Sequence, residues 1–237
     1  MTVVTVEPVL EAIRAVAREA FDLTAMVEEY VRKQLTPRVD HAPGDDPGRG
    51  WSAAAVAGLR AVLEAPLSAP GSRVVGAGFV ATIGLFEDRP WWLEWFVRED
   101  ATVERLRVPL GPDEPGFYDY TSTRWFREPE RDGRRHVIGP FVDYLCTEDL
   151  TLTFSQPVLI GDRFVGVAAC DIRAVTVERE LLPVLRRLPG SHVVVNDDDR
   201  VLCSNSARFV CGDLFEAGAD ARRHRLDDLS LLFVEPA

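Results

Sequence analysis

Between Tyr118 and Asp171 the sequence concentrates rings and carboxylates: Tyr118, Trp125, Phe126, Phe141, Asp143 and Asp171. Rings and carboxylates together suit a cation. An alkylammonium offers donors and no acceptor, so carboxylates and π faces satisfy it. Each desolvated ring contact is worth about 0.5–2 kcal/mol. Two converging aspartates repel one another in an empty pocket and raise a carboxyl pKa; a cation relieves that repulsion, whereas a carboxylate ligand worsens it. Two other readings of the same residues stand beside this one. Paired carboxylates can act as general acid and base, although no nucleophile accompanies them. Asp143 can also simply cap a turn after Gly139-Pro140, with Asp171 ending a strand before a helix.

Other chemistry is not encoded in recognisable form. The sequence has no phosphate-binding glycine loop, no dinucleotide-binding glycine fingerprint, no paired-histidine zinc helix and no serine nucleophile elbow, so no cofactor and no metal are expected. His41, His136, His192 and His224 lack metal-like spacing, and Arg134-Arg135-His136 reads as a solvated face. Asp197-Asp198-Asp199 lacks the spaced ligands of a calcium loop and reads as a tight turn. Cys146, Cys170, Cys203 and Cys211 are too scattered for a zinc site or a disulfide scaffold and read as buried thiols.

The chain has 237 residues and a formal net charge of −11, with 46% hydrophobic and 27% charged residues. That is enough chain for one large domain with a small companion. The negative charge disfavours direct binding to nucleic acid or an anionic membrane surface. No apolar run approaches the ~20 residues of a membrane span, and no signal peptide opens the chain. The expectation is a soluble, cytoplasmic protein.

Hydrophobic periodicity supplies the elements that must position the rings and acids. Val9, Ile13, Val16, Ala20, Val27, Tyr30 and Val31 mark one stripe of a helix from Pro8 to Leu35, a spine for the domain or a homodimer seam. Residues 38–50 form a loop, and Ser52 caps a second helix carrying Val56, Leu59, Val62 and Leu63. The period then becomes strand-like over Val74–Gly84, Trp91–Val97 and Val103–Val108. The aromatics of the second strand read as sheet core rather than ligand platform. Phe117 to Phe126 is a loop entering a short helix, and Gly139-Pro140 breaks the chain. Leu150–Val158 and Arg163–Cys170 pair through a Gly161-Asp162 hairpin. A helix from Thr176 to Leu188 is shortened or kinked by Pro183. In the tail, Val193–Val195, Arg200–Leu202 and Leu229–Val234 are strands. An α+β architecture follows, with about five antiparallel strands in the central sheet.

Over about residues 74 to 205, order and spacing resemble the double Cache family of PAS-like sensor domains. The resemblance rests on Tyr118 with Trp125-Phe126, on Gly139-Pro140-Phe141-Val142-Asp143, on the strand Thr153 to Val158, on Gly166 to Ile172, and on Val193 to Val201. It implies a spine helix over 1–36, a PAS-like ligand-binding domain over 37–189 and a small vestigial second module over 190–237. The family's amino-acid and amine receptors hold ligand with a tyrosine, an Arg-x-Trp-aromatic motif, an aromatic-x-Asp motif and a later aspartate. These fall on Tyr118, Thr123, Trp125, Phe126, Phe141, Asp143 and Asp171. Thr123 stands where the arginine that holds a ligand carboxylate is expected. Adjacent Arg124 is turned about 100° away along a helix, and Phe126 and Phe141 lack the hydroxyl common at their positions. The resemblance therefore implies a sensor of an amine, with an amino acid or small carboxylate as the alternative. Family receptors normally carry transmembrane helices and an output module, and neither is visible in this chain. A separate transcriptional regulator or kinase is therefore the implied partner.

Overall fold

The structure is a computed structural model that describes residues 6–36, 51–100, 102–143, 149–216, 221–226 and 229–235. The loop expected over 38–50, with His41, and Cys146 lie outside the described residues.

Helix α1 spans Glu7–Leu35, with proline in its first turn and Val9, Ile13, Val16, Ala20, Val27 and Val31 fully buried along one stripe. Tyr30 from the same stripe is only partly buried. Ser52 caps a short 3-10 turn, Ala53–Val56, by accepting from the Ala54 N–H; helix α2, Leu59–Ser68, starts after that turn rather than at the cap. Strands β1 (Val74–Ala81), β2 (Leu93–Glu99) and β3 (Thr102–Arg105) follow, then helix α3 (Arg124–Asp132) and strand β4 (His136–Val142). Strands β5 (Leu150–Ile160) and β6 (Arg163–Arg173) form the hairpin expected at Gly161-Asp162, and helix α4 covers Ala174–Leu185.

These strands make one antiparallel sheet of six, in the order β3-β2-β1-β6-β5-β4. Its two faces differ in role. Ala77, Phe79, Leu152, Phe154, Ala168, Cys170 and Ile172 join the core built with α1. The opposite face carries Leu93, Trp95, Val97, Val80, Val167 and Ala169, packed with Tyr120, Trp125 and Phe126. Because both faces are covered, β1 is buried throughout, without the alternation of a half-exposed strand.

A second antiparallel sheet contains β7 (Val193–Asn196), β8 (Val201–Ser204), β9 (Arg222–Arg225) and β10 (Leu231–Glu235), in the order β8-β7-β10-β9. Val194, Leu202, Leu231 and Phe233 from this sheet belong to the same continuous core as α1, α4 and the large sheet. Cys170 and Cys203 are buried free thiols and Cys211 a half-buried one. His136 bonds Asp132 at 2.9 Å beside α3.

Gly139-Pro140 does not end a segment. β4 runs through the dipeptide with a bulge: Ile138 faces Thr153, Phe141 faces Thr151, and one extra β4 residue lies between the two pairs. A side chain at Gly139 would put its Cβ 2.4 Å from the Thr151 carbonyl oxygen at φ 129°, so this position requires glycine.

Candidate ligand-binding site

The bulge in β4 has a direct consequence for the site. In a regular strand Ile138 and Phe141 would face opposite ways, since side chains alternate. The extra residue brings Phe141 to the face that carries Ile138, Thr153 and Asp171. Across the sheet, the Trp95 indole of β2 lies over β1 because Gly78 sits opposite it and Gly76 diagonal to it, beside Val97. A Cβ at Gly76 would lie 2.8 Å from the Trp95 indole nitrogen, and one at Gly78 would lie 2.1 Å from the Glu94 carbonyl oxygen.

The loop before α3 is held by its own side chains. Asp119 accepts from the Thr121 N–H at 3.0 Å, and fully buried Tyr120 donates its hydroxyl to the Ala81 carbonyl at 2.9 Å. Burial pushes the Tyr120 phenol up to about 12, so it stays a neutral donor. Thr123 turns its hydroxyl back onto the Tyr120 carbonyl at 2.6 Å. Trp125 thereby projects from the first turn of α3 toward the sheet.

Between α3, β4 and the sheet face lies an open cavity of about 370 Å³, within the size range of small-molecule sites. Tyr118, Thr123, Trp125, Phe141 and Asp143 line it. A recess of about 40 Å³ continues inward, walled by Trp95, Tyr118, Trp125, Phe141, Asp143, Thr153 and Asp171. The recess has room for little more than one small group. Four of the seven sequence candidates, Tyr118, Trp125, Phe141 and Asp143, line both spaces, Thr123 lines the outer one and Asp171 the inner one.

Phe126 is the exception. Its ring is buried against Tyr120, Trp125 and Phe164 and lines neither space, because the next residue along a helix points about 100° away. Phe126 therefore backs Trp125 and faces neither space. Arg124 also departs from expectation. It lies on the wall of the outer cavity beside Thr123, where its guanidinium pairs with Asp198.

Asp171 sits inside β6, not at its end, and is 6% exposed. Its Oδ1 accepts from the Thr153 hydroxyl at 2.6 Å. Burial pushes its carboxyl up to about 8, with the Thr153 bond opposing the rise and the Asp143 charge adding to it. The expected direction of shift is thus found, but desolvation outweighs the repulsion between the two acids.

The outer wall of the cavity has no local signal in the sequence. Asn196, Asp198 and Arg200, from the turn between β7 and β8, complete it together with Ile138, Pro140 and Val142. Asn196 donates from Nδ2 to the Gly139 carbonyl at 2.8 Å and accepts at Oδ1 from the N–H groups of Asp198 and Arg200. The four-residue Asn-Asp-Asp-Asp run signalled a turn; its approach to β4 is a property of tertiary packing. Trp95, one of the aromatics that read as sheet core, is buried as such, and it also walls the inner recess together with buried Leu93.

Searches with the sequence match no family model and no curated protein. Comparison of structures does find relatives of shape. The methyl-accepting chemotaxis protein X superposes with a TM-score of 0.59 at 12% identity, covering 98% of this chain and 97% of that one. The ligand-binding domain of the Pseudomonas fluorescens chemoreceptor CtaA, in complex with L-valine, gives 0.55 at 13% identity, covering 98% and 93%. That of the Pseudomonas aeruginosa amino-acid chemoreceptor PctB, in complex with L-Arg, gives 0.53 at 16%, covering 96% and 88%. A long N-terminal helix, a large antiparallel sheet and a small second sheet arranged as in these receptors give this chain the fold of a Cache-type ligand-binding domain.

Proposed function

We propose that this protein is a small-molecule sensor whose ligand carries an ammonium group, and that it passes the bound state to a separate regulator or kinase in the cytoplasm rather than catalysing a reaction. The observation that carries the reading is the convergence of Asp143 and Asp171 on a recess walled by Trp95, Tyr118, Trp125 and Phe141. A primary ammonium fills such a recess well: its N–H groups meet carboxylate oxygens and its charge meets ring faces. Desolvation penalises the Asp171 carboxylate in the empty site, and a cation lowers that penalty. Thr123 spends its hydroxyl on a backbone carbonyl, and Arg124 already has a carboxylate partner in Asp198. A carboxylate next to the ammonium, as in an α-amino acid, therefore finds neither Thr123 nor Arg124 uncommitted. That CtaA and PctB are seen with amino acids makes the amino-acid class the comparison to run against simple amines.

The test is a thermal-shift screen of amines, α-amino acids, purines and carboxylates. A ligand at about 100 times its Kd adds about 2.7 kcal/mol of stability. Amine hits that disappear in Asp143→Ala and Asp171→Ala are the expected result. Hits confined to carboxylates, or amine binding that survives both substitutions, would overturn the reading. Turnover of a hit would restore the acid–base alternative.

A further inference from the structure

The cavity has an electrical polarity. Its inner end carries two acids, and its outer wall carries Arg124, Asp198 and Arg200. Arg124 and Asp198 neutralise one another. Arg223 and Arg225 of the second sheet are likewise matched, with Asp199 and Asp197. Arg200 is different. Its Nη1 donates to the Gly212 carbonyl at 2.6 Å, and among the described residues no carboxylate pairs with it. A guanidinium has five N–H donors in a planar fork, and among the described residues the Gly212 carbonyl is the one protein acceptor seen for this one, on a residue that lines the cavity.

Its placement is firm. The Arg200 N–H donates to Asn196 Oδ1 at 2.8 Å, its carbonyl accepts from the Asn196 N–H at 3.0 Å, and Asn196 in turn is tied to Gly139 across the cavity wall. A half-buried charge held beside a cavity without a counter-charge favours any ligand that supplies one.

We propose that Arg200 reads the end of the ligand remote from its ammonium, so that the site selects amines carrying a carboxylate at the far end of a spacer. This rests on the amine reading of the inner recess. The ligand class is then an ω-amino carboxylate, which places its negative charge at the mouth and away from Asp143 and Asp171. An α-amino acid of the same length brings its carboxylate to the acids, and a diamine brings a second cation to Arg200.

The experiment is calorimetric titration with pentylamine, δ-aminovalerate, norvaline and cadaverine on the wild-type chain, on Arg200→Gln and on Arg124→Gln. A charge-assisted contact makes δ-aminovalerate bind about tenfold or more tighter than pentylamine, the equivalent of about 1.4 kcal/mol, with norvaline and cadaverine weaker than both. In Arg200→Gln the ratio between δ-aminovalerate and pentylamine falls below about twofold. The ratio is internal to each protein, so a general loss of stability does not imitate it, and the wild-type order needs no variant at all. Equal binding of pentylamine and δ-aminovalerate, tighter binding of norvaline, or a ratio lost in Arg124→Gln and kept in Arg200→Gln would each overturn the assignment. Binding of none of the four would defeat the amine reading itself, and this proposal with it.

Discussion

Asp171 is placed where its ionised form is expensive, and that has two consequences of opposite sign. The folded protein holds a proton on this carboxyl up to about pH 8, whereas the unfolded chain releases it near pH 4. Between those values the native state binds more protons, so this residue's contribution to stability falls as pH rises, and the full penalty is present above about pH 8. Asp171→Asn removes the titration and keeps an oxygen to accept from Thr153. In urea denaturation the variant should be more stable than wild type at pH 9, with the difference shrinking toward pH 5. A difference that does not change with pH would show that Asp171 does not carry this proton. Ligand binding runs the other way. A primary amine stays charged over this range, and binding it at low pH must expel the Asp171 proton. Its affinity should therefore rise between pH 6 and 8, by up to about tenfold per unit.

At the scale of elements, the turn between β7 and β8 ties the second sheet to the site. Its three aspartates each meet a different arginine, Asp197 with Arg225, Asp198 with Arg124 and Asp199 with Arg223, while Asn196 reaches Gly139. The ion pairs are largely exposed and individually weak. The Asn196 bond is buried, and removing its donor leaves the Gly139 carbonyl without this partner. Asn196→Ala should therefore cost about 1–3 kcal/mol. Asn196→Asp keeps the oxygen that accepts from Asp198 and Arg200 but sets a carboxylate against the Gly139 carbonyl, so it should cost at least as much. Urea midpoints at constant m-value measure both, and a neutral Asn196→Asp would mean that the donor is not used. This turn also marks where the sequence stops being legible. α1, the Gly161-Asp162 hairpin and the segment from Tyr118 to Trp125 could be read because their signals are local, in periodicity or turn chemistry. β9 was not read, because Arg222-Arg223-His224-Arg225 has no apolar alternation and two of its arginines find their partners about 25 residues earlier in the chain. The outer wall of the cavity was missed for the same reason. Gly139-Pro140 reads as a break in the sequence because a bulge and a loop start with the same residues.

At the scale of the whole molecule, one continuous core decides how the two sheets behave. Helix α1 packs on the large sheet, α4 packs beside it, and Val194, Leu202, Leu231 and Phe233 of the second sheet enter the same apolar cluster. A segment that shares its core in this way gains little from folding alone, since its few strands bury too little surface by themselves. The two sheets should therefore unfold together. All five tryptophans lie between Trp51 and Trp125, so intrinsic fluorescence reports only the large sheet and its coverings. Native-state hydrogen exchange supplies the other half. The slowest amides of β7 and β10 should open with the same free energy as those of β1 and β6, and that value should match the urea transition seen by fluorescence. An amine that binds the inner recess should then raise protection in β10, which touches neither cavity, by the same amount as in β6. Exchange from β7 and β10 at a distinctly lower free energy, unaffected by ligand, would instead make the second sheet a separately folding module. The turn at Asn196 would then be a docking contact rather than part of one cooperative unit.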